Sequence, residues 1–555
     1  MADLEGCPRV KFEPAAVGLE RLRQYESQLP KWVGELYFEL HRGTFTTQAK
    51  TKRGNRKAEQ ALIALEFLCS NLPPEKYPSV KLDALWKKLL LNQFHDIIPG
   101  SSIGTVYQDT ARDHAAILDN CLELAQHAAA VLFTRDDQSA VLVNTLSYPY
   151  AMPLELPGSW RDCGVADSDG KPLPAQSENG RIVVMVEVAP SSFTIISKSA
   201  VTPINADSTL TGLALENDLI KYEFSGDGKI IRAWDKEAEC ELLSPGEAGN
   251  VFSLYGDIPN NNDAWDIDFF YENELLENAR PINAVKTVAG PVRQIIDFEL
   301  SIGASSIKQQ AILSANSKRL DFRTEVKWSE VHKMLRIAFP TNIFANEAAF
   351  DIQYGFVKRP NHRNTSWNLA KFEVAAHRYA DLSSPDYGVA LLNDCKYGYK
   401  VLGNTIDLCL LRSPKFPDWD ADQGDHVFTY SLLPHLNRLE ESAVIAEAAT
   451  LNRAPMLFDG CCSSFQPPFQ IDADGISLEV VKKAEKEDAL VIRLVETRGS
   501  HSSGTLSVKH PYYKLIETNL LEWTEEAIVD VIDGKVSLSL KPFEIRTYKL
   551  SRNAR

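Results

Sequence analysis

The stretch Leu89-Leu90-Leu91-Asn92-Gln93-Phe94-His95-Asp96-Ile97-Ile98-Pro99-Gly100-Ser101-Ser102 decides how the rest of the chain is read. Leu82, Leu85, Trp86, Leu89 and Leu90 recur at helical spacing, so a helix is expected over residues 83–96. Pro99-Gly100 stops it within one turn, since proline offers no amide hydrogen and glycine accepts a chain reversal. His95 and Asp96 stand side by side at the stop, and neighbouring helical residues point about 100° apart. One can hold a cation while the other accepts hydrogen bonds from hydroxyl groups. The plainer reading is that His95, as an imidazolium, caps the negative end of the helix dipole.

Working outward, residues 14–132 read as mostly helical. Leu19, Leu22 and Tyr25 share a helical spacing, and Ala58, Ala61, Leu62, Leu65 and Leu68 form a stripe. From Val106 to Leu132, Thr110, Ala111, Ala115, Leu118, Leu122, Ala125 and Ala129 lie on one side. Three longer helices with short connections predict a small bundle whose stripes are core.

From about residue 138 the period becomes that of strands. Runs such as Arg181–Val188, Ser192–Ser197, Leu320–Trp328, Ala489–Val495 and Lys535–Leu540 are bounded by glycine and proline, and Ser225-Gly226-Asp227-Gly228 predicts a hairpin turn. Many short strands without intervening helices imply packed antiparallel sheets. No internal repeat or low-complexity tract interrupts the pattern.

A chain of 555 residues is too long for one core. Its net charge of −16 argues against nucleic acid or an anionic membrane surface as partner. No apolar run reaches the roughly 20 residues of a spanning helix. Nine cysteines, scattered apart from adjacent Cys461-Cys462, suggest a reduced protein and a cytoplasmic location, with a vacuolar or lysosomal one as the alternative. There is no P-loop, dinucleotide fingerprint or Cys-x-x-Cys, and the Gly-x-Ser-x-Gly pattern at Gly100–Gly104 follows a helix where a nucleophile elbow needs a strand.

The opening stretch resembles the mid-domain signature of the glycoside hydrolase family 38 α-mannosidases, the cytosolic and vacuolar branch in particular. Further blocks stand in the family's order: Gly34-Glu35-Leu36-Tyr37-Phe38-Glu39-Leu40-His41-Arg42-Gly43-Thr44, Asp263-Ala264-Trp265-Asp266-Ile267-Asp268, Ala376-His377-Arg378-Tyr379-Ala380-Asp381, and His426-Val427-Phe428-Thr429-Tyr430. The resemblance implies a multidomain α+β fold: a three-helix bundle, then antiparallel β-sandwich domains, with a large supersandwich of the galactose-mutarotase-like kind. The expected division is an edge of the family's N-terminal domain over 1–17, the bundle over 18–134, a small β domain over 135–212, the large sandwich over 213–468, and a C-terminal β domain over 469–555. The family keeps its nucleophile and a His-x-Asp metal pair in an N-terminal α/β barrel. None of the eleven histidines here begins such a triplet. The chain is therefore expected to be the C-terminal portion of such an enzyme, inactive alone, with that barrel as partner.

By resemblance His95 is the C-terminal metal ligand, for zinc or cobalt, and a lone histidine cannot hold a divalent ion by itself. Asp96 aligns with the acidic residue that touches sugar hydroxyls; otherwise it bonds nearby backbone or Ser101 and Ser102. Arg42, with Thr44, Thr46, Thr47 and Gln48, either lines a sugar site or caps the following helix. Trp265 and Asp266 are candidates for stacking on a pyranose and accepting its hydroxyls; a core role is the alternative for the ring. His377 and Asp381 are candidates for the rim of the site. His426 and His435 read as packing residues, and Lys52-Arg53-Gly54-Asn55-Arg56 as a solvated helix start or a salt-bridged domain contact. The implied activity is retaining hydrolysis of terminal α-linked mannose from oligosaccharides. The rival from another class is a non-catalytic carbohydrate-binding or assembly module, and homo-oligomer formation is left open.

Overall fold

The computed structural model describes residues 3–206, 210, 212–283, 285–462, 469–509 and 512–552. Contacts divide the chain into two units, Met1–Phe38 and Glu39–Arg555. Leu19 and Leu22, expected within the bundle, lie on helix α1 (Ala15–Arg23) of the first unit, and none of its residues is buried.

The second unit opens with the three-helix bundle: α2 (Ala49–Cys69), α3 (Ser79–Asn92) and α4 (Gly104–Leu132). The expected stripe of α2 buries Ala58, Leu62, Leu65 and Leu68 completely, against Leu82, Leu85 and Leu89 of α3 and Ile117, Cys121 and Leu124 of α4. Each buried leucine or isoleucine among them contributes about 1.5–3 kcal/mol. Helix α2 lies close to α4 at Gly54, where an added Cβ would stand 2.3 Å from the His114 ring. The bundle core runs on into Ile476, Leu478, Ile492, Leu494, Leu506 and Leu538, so the first and last parts of this unit share one apolar interior.

Between them lie β-sandwiches. Strand Leu320–Trp328 alternates strictly: Leu320, Phe322, Thr324, Val326 and Trp328 are buried, while Arg323, Glu325 and Lys327 face out. It sits in a ten-stranded sheet whose inner rings, Phe322 and Tyr430, pack on Phe339 of a six-stranded sheet, each pair at 6.2 Å between centroids. Two four-stranded sheets enclose Leu142, Trp160, Val184 and Ile196, and three- and five-stranded sheets close the chain. Pairing among the named strands is antiparallel except for Gln176 beside Ile204. The predicted hairpin forms: Ser225 and Lys229 face each other across the turn, and Gly228 takes φ +78°. Among the described residues no helix is long and apolar enough to cross a membrane.

Candidate functional site

The α3 helix ends at Asn92, four residues earlier than the spacing implied. Gln93 and Phe94 donate to Leu90 and Leu91 carbonyls in tightened turns, and Ile97 and Ile98 both donate to the Phe94 carbonyl. Pro99 disfavours a helical Ile98, so the breaker acts back along the chain. Gly100 then takes φ +98°, and a Cβ there would lie 2.5 Å from the Thr47 carbonyl oxygen, which reserves the position for glycine. His95 and Asp96 thus sit in successive turns. The Asp96 backbone is held from three sides: its carbonyl accepts from Ser101 N, Ser102 Oγ and Tyr107 OH at 3.2, 2.9 and 3.2 Å. Its Oδ1 accepts from Ser101 Oγ at 3.0 Å, and its Oδ2 stands 3.8 Å from His95 Nε2. The His95 side chain is 78% exposed, beside the Phe94 ring.

This turn is stitched to the Arg42–Gln48 segment by Lys52. Its ammonium, 5% exposed as a residue, donates to the carbonyls of Thr47, Ile98 and Pro99 at 2.5, 2.9 and 3.2 Å. Burial pulls Lys52 down to about 7 against the attraction of Asp422. Three acceptors match the three N–H bonds of the charged form, and a neutral amine would leave one carbonyl unserved. Asp422 in turn caps α2, accepting from the amides of Gln48 and Ala49 at 2.7 Å each. The basic run at 52–56 is therefore not a solvated helix start: Lys52, Asn55 and Arg56 are buried.

Thr47 and Arg412 join the remaining blocks. Thr47 Oγ1 lies 2.8 Å from the Ala264 carbonyl and 3.0 Å from Arg412 Nη1. Arg412 is fully buried; it pairs with Asp257 at 2.8 Å and donates to the carbonyls of Asp263, Ala264 and Asp266. Thr47 belongs to the polar string already read from sequence, whereas Arg412 was not singled out there. The available signal was a guanidinium closing the otherwise apolar run Leu408-Cys409-Leu410-Leu411.

Of the sequence candidates, Arg42 and Asp266 are brought together. Arg42 is 8% exposed, stacks on Phe372 at 4.6 Å, donates to the Ala370 carbonyl, and meets Asp266 Oδ1 through its amide at 3.3 Å. Trp265 is half-buried, 6.3 Å from the Phe416 ring, and its carbonyl accepts from Thr44. His377 lies elsewhere, on the wall of a cavity of ≈650 Å³ whose lining also includes Gln93, Ile98 and Pro99. Burial holds the His377 imidazole down to about 4. Asp381 is 2% exposed and bonded to His435 Nε2 at 2.7 Å and Ser383 Oγ at 2.5 Å. His426 donates from Nε2 to the Asp422 carbonyl at 2.7 Å.

Among the described residues no three His, Cys, Asp or Glu side chains are grouped to hold a metal ion. Around His95 the chain's own donors amount to one exposed imidazole and one neighbouring carboxylate, too few for a divalent site made by this chain alone.

Three family profiles match: "Alpha mannosidase middle domain" over residues 39–132, "Glycosyl hydrolases family 38 C-terminal domain" over 215–420, and "Glycosyl hydrolases family 38 C-terminal beta sandwich domain" over 475–548. Alpha-mannosidase G of Dictyostelium discoideum is 33% identical over 614 residues, covering 100% of this chain and 56% of that protein. Alpha-mannosidase 2C1 of Homo sapiens is 34% identical over 571 residues, covering 98% and 53%. The chain thus spans about half the length of the curated relatives it matches. In fold it is similar to the crystal structure of an alpha-mannosidase from Enterococcus faecalis V583, with a TM-score of 0.77, 18% identity, and coverage of 96% of this chain and 72% of that one.

Proposed function

The chain belongs to glycosyl hydrolase family 38, and on that footing we propose that it forms the bundle-and-sandwich part of an α-mannosidase acting on mannose-containing oligosaccharides. The observation that carries this reading is the His95–Asp96 turn: an exposed imidazole beside a carboxylate whose backbone is fixed by three hydrogen bonds. His95 supplies one ligand to a divalent ion, zinc or cobalt, whose other ligands come from a barrel domain. When bound, such an ion stabilises developing charge and orients sugar hydroxyls. Asp96 accepts hydrogen bonds from those hydroxyls through the Oδ2 that the protein leaves facing His95. Hydrolysis is of the retaining kind: a carboxylate attacks the anomeric carbon, a carboxylic acid protonates the leaving oxygen, and water releases the mannose. Both of those groups belong to the barrel. Nine free thiols suit a reducing compartment, the cytosol.

The chain alone is expected to turn over no aryl α-mannoside with zinc or cobalt added. Turnover that disappears in His95→Ala would overturn the division of labour. Joined to a family barrel carrying the His-x-Asp pair, the wild-type protein should hydrolyse the substrate, and His95→Ala should lose bound metal by elemental analysis while remaining folded. Retention of stoichiometric metal would return His95 to the surface. Sugar binding without turnover in the joined protein would instead favour a carbohydrate-binding module.

Asp96→Asn tests the neighbouring carboxylate in the same joined protein. The amide keeps the size, but it loses the charge and presents a donor where an acceptor is wanted. It should lower kcat and kcat/KM together by about 2–4 kcal/mol, the scale of one transition-state contact, with metal content little changed. Because Asp96 also accepts from Ser101, a purely structural role predicts the opposite pattern: a lower melting temperature with near-normal turnover.

A further inference from the structure

The ≈650 Å³ cavity lies among α2, the hairpin tip at 351–355, Arg378, the end of helix Val444–Asn452, and strand Ile476–Lys483. Its wall carries guanidinium and carboxylate groups that are mostly not paired with one another. Arg378 alone is neutralised directly, by Asp351 at 2.9 Å through two nitrogens. Arg56 spends its donors on neutral acceptors: Tyr397 OH, Asn452 Oδ1 and the His377 carbonyl, at 2.8–3.0 Å. Arg453 bonds only Gln60 Oε1, through Nε and Nη2, which leaves its Nη1 with no partner among the described residues. Glu59 has no hydrogen bond or ion pair among the described residues, and Glu479 accepts only from Ser477 Oγ at 2.6 Å.

Opposite charges confined in one polar cavity are expected to collapse into ion pairs if stability is their only purpose, because each charge removed from water is costly without a partner. Here Gln60, Asn452 and Tyr397 accept the hydrogen bonds of Arg453 and Arg56 in place of the carboxylates. Burial registers on both signs: it raises Glu59 from the ordinary carboxylate range and pulls Arg453 down to about 10. The mouth adds a second feature. Tyr354 sits at the hairpin tip with φ +57°, a conformation unfavourable for an aromatic residue, and is 42% exposed beside the cavity. Such strain persists where the side chain has a use.

We infer that this cavity is a binding site for a neutral pyranose sugar; Gln93, Ile98 and Pro99 line it beside the turn, but His95 and Asp96 themselves do not. A ring bearing several hydroxyls presents a donor and an acceptor at every position, so it can accept from Arg453 and Arg56 and donate to Glu59 and Glu479, all of which line the cavity. A simple anion would meet the two carboxylates, and a cation the guanidiniums. Tyr354 offers a flat apolar face to the C–H side of the ring at the mouth. The volume is that of a small-ligand pocket. The inference stands whether or not the chain takes part in mannoside hydrolysis.

Titration of the full chain with methyl α-D-mannopyranoside, followed by calorimetry and by saturation-transfer NMR, tests it, with inorganic phosphate as the comparison ligand. Saturable sugar binding is expected, weakened about tenfold or more by Arg453→Leu and unchanged by His95→Ala. Tyr354→Gly is the variant that separates binding from folding: it relieves the left-handed backbone, so the melting temperature should hold or rise while sugar affinity falls. No saturable sugar binding, phosphate binding in its place, or sugar affinity indifferent to both Arg453→Leu and Tyr354→Gly would each overturn the proposal. Loss of sugar binding in His95→Ala would also overturn it, by moving the sugar to the other site.

Discussion

Arg412→Met is expected to destabilise the unit Glu39–Arg555 by about 3–5 kcal/mol, the range for removing one member of a fully buried ion pair. The guanidinium makes five hydrogen bonds, to Asp257, Thr47, and the carbonyls of Asp263, Ala264 and Asp266. Methionine fills most of the volume but strands the Asp257 carboxylate, which is 1% exposed, and leaves three carbonyls short of a donor. Arg412→Lys should recover little, since three donors on a flexible stem cannot reproduce the planar fork. The double variant Arg412→Met with Asp257→Leu should be less damaged than Arg412→Met alone, because no charge is then buried without a partner. Denaturant unfolding followed by tryptophan fluorescence checks all three. A loss below about 1 kcal/mol for Arg412→Met would mean that water or a rearranged neighbour serves Asp257.

Arg412 also marks where reading the chain in one dimension stops. Strands such as Leu320–Trp328 and Lys535–Leu540 appear at their expected limits, because a two-residue alternation is written locally and the sheet only has to accept it. Helix α4 begins within two residues of the expected Val106, its 3.6-residue stripe being equally local. Long-range partners leave no such trace. The charges of 52–56 read as either a solvated helix start or a salt-bridged domain contact because spacing cannot tell a water-facing side from one set against a β domain; the structure shows a contact, with partners of Arg56 321 to 396 residues further along the chain. The α3 terminus was misplaced by four residues because the spacing does not record that the chain passes into successive tight turns after Asn92, well before Pro99. His95 and Asp96 came from resemblance, and their chemistry is invisible to composition or periodicity. Arg42, Asp266, His377 and Asp381 are polar residue types found in sugar sites, yet how much of each side chain protein partners already engage is a three-dimensional fact. For Asp381 those partners are His435 and Ser383, one of them 54 residues away.

His426→Gln should become progressively more stable relative to the wild type as the pH falls from about 6.5 to 4, by roughly 3 kcal/mol at the acid end. His426 is 5% exposed and donates from Nε2 to the Asp422 carbonyl, a bond that either form of the ring can make. Burial, reinforced by the ammonium of Lys396, keeps it down to about 3. The unfolded chain takes up that proton near pH 6.5. Between these values the unfolded state binds more protons, so acid draws the protein towards it, at about 1.4 kcal/mol per pH unit for one such group. His377, held down to about 4, adds a similar slope over a shorter window. Buried carboxylates act in the opposite sense. Burial raises Glu66 and Glu373 to about 7, so each favours the folded state as the pH drops from 7 towards 4.5. The net pH dependence of the wild type is therefore a difference of opposing terms, whereas the comparison with His426→Gln isolates one of them. Glutamine retains an N–H to offer the Asp422 carbonyl and cannot be protonated in this range. Urea midpoints measured on both proteins at half-unit steps of pH provide the test, and parallel curves would show that His426 is charged in the folded protein.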